Sequence, residues 1–169
     1  RQMCIRDSID PADSRDTFEF CTGVPESGND WESEYRTEDA EVILITIAGM
    51  TGTGMDAVDI AREKGIKAGL IKLRFVRPFP AKRIAQALQG KKAFAVVDRS
   101  VCFGWSQGPM HMEVKAAIVD VDEKYAHFSA IGGLGGADIS LQNMLDTITQ
   151  LDAQKNESGE KTTKWFMNE

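Results

Sequence analysis

Cysteine is scarce in this chain. Its 169 residues include three, Cys4, Cys21 and Cys102, and none belongs to a C-x-x-C pair. An odd, widely spaced set builds neither a disulfide framework nor a closed zinc or iron–sulfur site. Scattered thiols suit a reducing compartment, and a cytoplasmic protein is expected. Histidine is scarcer still. His111 and His127 fall on different expected elements, without an i, i+4 partner or a nearby cysteine, so no metal site is expected from them. Positive charge is also in deficit. A net charge of −6 speaks against a nucleic-acid surface, which needs clustered Lys and Arg, and against an anionic membrane surface. No apolar run approaches the roughly 20 residues that span a bilayer. The first residues carry no apolar stretch of the signal-peptide kind. No Gly-Lys-Ser/Thr is present, which excludes a P-loop.

What remains is ordinary for a globular domain: 42% hydrophobic and 27% charged residues, enough for one domain with a core. The chain opens on Arg1 and reads as a fragment. Its first eight residues, RQMCIRDS, resemble translated sequencing-adaptor sequence and are excluded from fold reasoning. Residues 9–30 are rich in Asp, Ser, Pro and Gly and read as a linker or the tail of an upstream domain. Residues 31–36 alternate as a short edge strand.

From residue 41 the pattern changes. EVILITIA (41–48) is a near-continuous apolar run, as in a parallel strand buried on both faces. A glycine turn at 49–54 leads to a helix expected over 55–64. A second strand is expected over 67–73. Arg77-Pro78-Phe79-Pro80 then excludes regular helix, since each proline pushes its predecessor toward extended geometry. Further elements are expected as helix 81–88, strand 93–97, helix 110–119, strand 127–131 and a helix to about Leu151 capped by Asp138 or Ser140. Strand and helix alternate four times, which predicts an α/β domain over 31–151 built as a three-layer α/β/α sandwich. Residues 152–169 read as a polar tail that frays.

Four motifs lie at turns. Gly52-Thr53-Gly54-Met55-Asp56-Ala57 fits G-x-G-x-x-A, a dinucleotide fingerprint that lets backbone amides approach a phosphate. The match begins late after its strand. The next strand ends near Lys72 and Arg74, not at the acid that binds a ribose diol. A tight βα turn is the simpler expectation for these glycines. Gly104-Trp105-Ser106-Gln107-Gly108 has the letters of a nucleophile elbow, but Ser106 follows no strand directly. It reads as a glycine loop before Pro109. Asp98-Arg99 lies at a strand's carboxyl end, where α/β proteins place functional groups; an ion pair anchoring the loop is the simpler expectation. Gly132 to Gly136 follows another strand, as a plain turn or a site of close backbone approach.

Taken together, YRTEDAEVILITIAG, GIKAGLIKLRFVRPFP, DRSVCFGWSQGPMHMEVKAAI and IGGLGGADI resemble, in order and spacing, the C-terminal half of the alpha subunit of pyruvate:ferredoxin oxidoreductase (pyruvate synthase). The patterns L-I-K-L-R-x-x-R-P-F-P and D-R-x-x-x-F-G-x-x-G-P carry most of the likeness. Trp105 and Met50-Thr51 depart from it, standing where smaller residues are usual. The resemblance implies a transketolase C-terminal-like domain, whose mostly parallel five-stranded sheet has an antiparallel first strand, here residues 31–36. It implies part of an enzyme that oxidatively decarboxylates pyruvate to acetyl-CoA and passes electrons to ferredoxin. Beta, gamma and ferredoxin-like delta subunits are the implied partners. Thiamine diphosphate and iron–sulfur clusters are implied for the parent complex, none for this chain. No catalytic or metal-binding residue carries over. Arg77, Pro78, Phe79, Pro80, Asp98, Arg99, Gly104, Gly108 and Pro109 match motif positions with structural or subunit-contact roles. The alternative expectation is a stand-alone nucleotide-binding module that uses Gly52 and Gly54.

Overall fold

The structure is a computed structural model that describes residues 32–166, apart from Phe75 and Pro78. The expectations for residues 1–31, for Pro78 and for residues 167–169 therefore lie outside the described residues. Among the described residues seven strands form one sheet: β1 (Glu32–Tyr35), β2 (Val42–Ile47), β3 (Ala68–Leu73), β4 (Ala93–Asp98), β5 (Ala126–Ile131), β6 (Gly159–Glu160) and β7 (Lys164–Trp165). Four helices connect or flank them: α1 (Thr51–Glu63), α2 (Ala81–Leu88), α3 (Pro109–Ala117) and α4 (Leu141–Gln154). The strand order is β1-β3-β2-β4-β5, with β6 and β7 both pairing with β5. β1 runs antiparallel to β3, and every other pairing is parallel. The sequence predicts both the parallel centre and, through the resemblance, the antiparallel edge.

Parallel strands need crossovers on the sheet faces, so their side chains are buried on both sides. The alternation inside each strand divides the core into two layers. Val42, Leu44, Leu70, Ala95, Val97 and Phe128 pack against α1 and α4 through Ala57, Val58, Ala61, Met144 and Ile148. Ile43, Ile45, Ile71, Leu73, Phe94 and Val96 face α2 and α3 through Ile84, Leu88 and Val114. Each fully buried Val, Leu, Ile, Phe or Met among them contributes about 1.5–3 kcal/mol relative to exposure. At the sheet's amino end Glu41 accepts from Lys92 at 3.1 Å and Lys155 at 2.9 Å. These two ammonium groups hold its carboxyl down at about 2. On the β1 side the Tyr35 hydroxyl donates to Asp59 of α1 at 3.0 Å, and Arg62 donates to the Ala68 carbonyl at 2.6 Å.

Two regions differ from the sequence-based expectation. Helix α1 starts at Thr51, four residues before the expected 55. β2 ends at Ile47, Ala48 takes a left-handed φ of 57°, and a 3-10 turn at Ala48–Met50 feeds straight into the helix. The Thr51 hydroxyl donates to the Ala48 carbonyl at 2.9 Å and closes that turn. Gly52 and Gly54 thus lie in the first turns of a helix and not in a loop. A Cβ at Gly54 would stand 2.7 Å from Leu70 Cδ1, so its bare backbone lets α1 sit close on β3. At Gly52 nothing stands within 4 Å.

The second difference is at the carboxyl terminus. Residues 159–160 and 164–165 do not fray but cover the outer edge of β5. Gly159 N–H donates to the Tyr125 carbonyl at 2.8 Å, Lys161 N–H to His127 at 2.7 Å and Phe166 N–H to Ile131 at 2.8 Å. An open strand edge presents unpaired backbone groups, and two-residue strands are too short to leave a period in the sequence. α4 starts on a capping box between Ser140 and Asn143, which decides between the two expected caps.

The contrast between the two helix glycines is testable by urea unfolding. Gly52→Ala, in open helical space, is expected to raise stability by about 0.4–1 kcal/mol. Gly54→Val, against a fully buried Leu70, is expected to lower it by about 1–3 kcal/mol.

Candidate functional site

The motif residues that the sequence singles out gather at the carboxyl ends of β3, β4 and β5. Asp98 closes β4 and is only 2% exposed. Its two carboxylate oxygens accept the backbone N–H groups of Met110 and His111, each at 3.2 Å. These are the second and third residues of α3, so a strand-end carboxylate caps a helix start reached by a long loop. The residue before the helix, Gly108, has no side chain to do so; its N–H donates to the Ser129 hydroxyl at 3.0 Å. A Cβ on Gly108 would fall 2.1 Å from Asp98 Oδ2. Pro109 at the first helical position removes one N–H that would otherwise lack a partner. The separated letters D, G and P of the second motif are therefore one capping device.

Burial pushes the Asp98 carboxyl up to about 6, against the opposing pull of the Met110 and His111 amides. The expected ion pair with Arg99 is not what the structure contains. The Arg99 guanidinium instead donates to the Ala137 carbonyl at 3.3 Å and lies over Gly133, where a Cβ would stand 2.6 Å from its Nε. Arg99 thus joins the loop after β4 to the loop after β5. The neighbouring Gly132 leaves room for the ring of Phe166, 2.3 Å from where a Cβ would be. The close approach allowed for at this glycine run is made by the chain's own terminus.

The Arg77 to Pro80 exit is the third part. Arg77 donates to Glu113 of α3 at 2.7 Å. Phe79 packs partly buried on the layer under α2 and α3. Pro80 is the residue before α2, and its carbonyl accepts Ile84 N–H at 3.0 Å. Between β4 and α3 the loop closes on itself, with Cys102 N–H donating to the Gln107 carbonyl at 2.9 Å and Trp105 N–H to Cys102 at 3.0 Å. Gly104 takes φ 78°, as the third residue of a type II turn requires. The turn holds Phe103 fully exposed and Trp105 61% exposed. Ser106 is exposed in this loop and follows no strand, so no nucleophile elbow is built.

The sequence gives no sign of one further cluster. His111 Nε2 and His127 Nδ1 meet at 3.2 Å between α3 and β5, where spacing along the chain places them apart. His127 also stacks on Phe94, with ring centres 5.0 Å apart and planes at 7°. Burial, then the nearby His127 and Lys115, push the His111 imidazole down to about 3. Glu160 of β6 lies beside the pair.

The raised Asp98 pKa has a signed consequence. Native Asp98 binds its proton more tightly than the unfolded chain, so its contribution is fully present below about 3.8 and is lost as pH rises to about 6. Unfolding free energies of the wild type minus those of Asp98→Asn are expected to decline over that window, by on the order of 3 kcal/mol. A flat difference counts against the buried, proton-holding carboxyl. Buried His111 acts oppositely in both proteins, losing stability as pH falls from 6.5 toward about 3, and cancels in the difference.

With this geometry in view, residues 40–144 match the model of the pyruvate:ferredoxin oxidoreductase core domain II family. The chain is 41% identical over 136 residues to the NADH-dependent phenylglyoxylate dehydrogenase subunit alpha of Aromatoleum evansii, covering 80% of this chain and 33% of that one. It is 35% identical to the pyruvate synthase subunit PorA of Pyrococcus abyssi, covering 79% and 34%. The chain thus spans about a third of the length of these curated relatives. Among solved structures, a split-gene transketolase matches with a TM-score of 0.59 at 11% identity, over 78% of this chain and 45% of that one. The 2-oxoglutarate:ferredoxin oxidoreductase from Magnetococcus marinus matches at 0.55 and 14%, over 86% and 24%. These likenesses show that the fold is transketolase-like. Match, relatives and motif geometry agree that the chain belongs to the pyruvate:ferredoxin oxidoreductase core domain II family.

Proposed function

We propose that this chain is part of the alpha subunit of a pyruvate:ferredoxin oxidoreductase, and that the domain contributes scaffold and subunit contact. The parent enzyme would decarboxylate pyruvate oxidatively to acetyl-CoA and deliver electrons to ferredoxin. The observation that carries the contact role is the Phe103–Trp105 turn. A fully exposed Phe beside a mostly exposed Trp at the sheet's carboxyl end is the aromatic anchor that protein interfaces bury. Asp98, Gly108 and Pro109 hold the base of that turn, and Gly104 shapes its tip. Beta, gamma and ferredoxin-like delta subunits, or their fused equivalents, are the partners of this reading.

Thiamine diphosphate stabilises carbanions, and iron–sulfur clusters carry single electrons. The residues here do not fit a cluster, which takes four thiolates: the whole chain has three cysteines, and the described residues include one, Cys102. Asp98, the buried acid at the strand ends, is committed to two amides of α3. We therefore assign both groups to other parts of the complex. What these residues do is orient α2, α3 and the exposed turn. No helix among the described residues is long and apolar enough to cross a membrane; we propose a cytoplasmic enzyme. Gly52 and Gly54, the candidates for a nucleotide, sit within α1, and Gly54 has a packing reason to be glycine.

The 41% identity to a phenylglyoxylate dehydrogenase subunit favours a second reading, in which the 2-oxo acid is aromatic. Pyruvate and phenylglyoxylate, offered in turn to the complete complex with a ferredoxin-type acceptor, distinguish the two by kcat/KM. The 169-residue chain alone is expected to oxidise neither. In the complex, Phe103→Ser with Trp105→Ser is expected to weaken subunit association by tenfold or more, that is about 1.4 kcal/mol or above, while the isolated chain keeps its melting temperature. Unchanged association on size-exclusion and analytical ultracentrifugation sinks the contact role.

A further inference from the structure

We propose that His111 Nε2, His127 Nδ1 and a carboxylate oxygen of Glu160 form a binding site for one divalent transition-metal ion of the zinc class. The three donor atoms lie within 4.8 Å of one another. The two ring nitrogens, 3.2 Å apart, match the edge of a tetrahedron around zinc, about 3.3 Å for Zn–N bonds near 2.0–2.1 Å. Two imidazoles and one carboxylate are a donor set that zinc, cobalt and nickel accept, with a fourth position left for water.

Three separate elements hold the donors. Asp98 fixes the register of α3 through the His111 amide itself. Phe94 stacks the His127 ring. Parallel pairing sets Glu160 opposite His127 across β5 and β6. Burial keeps both imidazoles neutral, which is the form that binds metal. His127 also lines an open groove of ≈ 310 Å³ with Gly159, Tyr125 and Ile118.

Without an ion the same atoms form a hydrogen-bonded pair. One hydrogen bond joins the rings, and His111 Nδ1 has no partner although His111 is wholly buried. Lys115 donates to the Glu160 oxygens at 2.9 and 3.0 Å and to Gln107 at 3.3 Å. It neutralises the carboxylate when no ion is bound, and its partly exposed, flexible stem lets the ammonium leave when a cation arrives.

Titration of the 169-residue chain with cobalt(II) chloride, followed by visible absorption and calorimetry, tests the site. Expected is a tetrahedral cobalt spectrum that saturates at one equivalent and is displaced by zinc. His127→Ala is expected to abolish it, and Glu160→Ala to weaken binding by at least roughly tenfold, with circular dichroism reporting the fold of each. If His127→Ala does not fold, the exposed Glu160→Ala decides alone. No saturable binding, or full-strength binding in either folded variant, overturns the proposal; the second outcome places the ion on the cysteines or elsewhere.

Discussion

The carboxylate of Asp98 lies at the end of the central strand β4, out of water, with the first turn of α3 against it. In a sheet buried on both faces a charged group has few places to go. This one stays because two backbone N–H groups reach it, those of Met110 and His111. A helix start leaves its first amides without internal partners, so strand end and helix start each supply what the other lacks. Everything near it follows. The residue before the helix must lack a Cβ, which makes it Gly108. The first helical residue does best without an N–H, which makes it Pro109. The chain between must double back, and it does so through the Gly104 turn that lifts Phe103 and Trp105 clear of the surface.

The same contact fixes more than the loop. Since Asp98 binds the His111 amide, it sets which face of α3 meets the sheet. That rotation brings the His111 ring to His127 and leaves Glu113 for Arg77. The exit from β3, the cap on α3 and the histidine pair are therefore coupled through one helix. On the opposite face the coupling runs through small residues, as Gly54, Ala57 and Ala61 let α1 settle on β2 and β3. The dinucleotide-like lettering at Gly52 to Ala57 is largely this packing requirement.

The two sheet edges are finished differently. β1 closes one edge antiparallel to β3 and is tied to α1 by Tyr35 and Arg36 on Asp59. β5 is covered on its outer side by β6 and β7, with Phe166 seated against Gly132. The outermost strands are short, four residues in β1 and two each in β6 and β7, so each leaves little free backbone for a neighbour to pair with. The most exposed large apolar side chain, Phe103, stands on the loop between β4 and α3.

The strands and helices between residues 41 and 151 were legible in the sequence because their signals are local. Period-2 and period-3.6 apolar patterns, Pro80 before α2, Pro109 opening α3 and Ser140 before α4 each act within a few residues of themselves. The antiparallel direction of the edge strand and the family followed from motif order, not from periodicity. What only tertiary structure decided involves partners distant along the chain. Asp98 chose amides of α3 over Arg99 because burial rewards a carboxylate for hydrogen bonds more than for a solvated neighbour. The polar terminus became two strands because β5 had an edge to cover. His111 and His127 became a pair because a helix and a strand cross over Phe94, a meeting that no spacing rule along one chain can register.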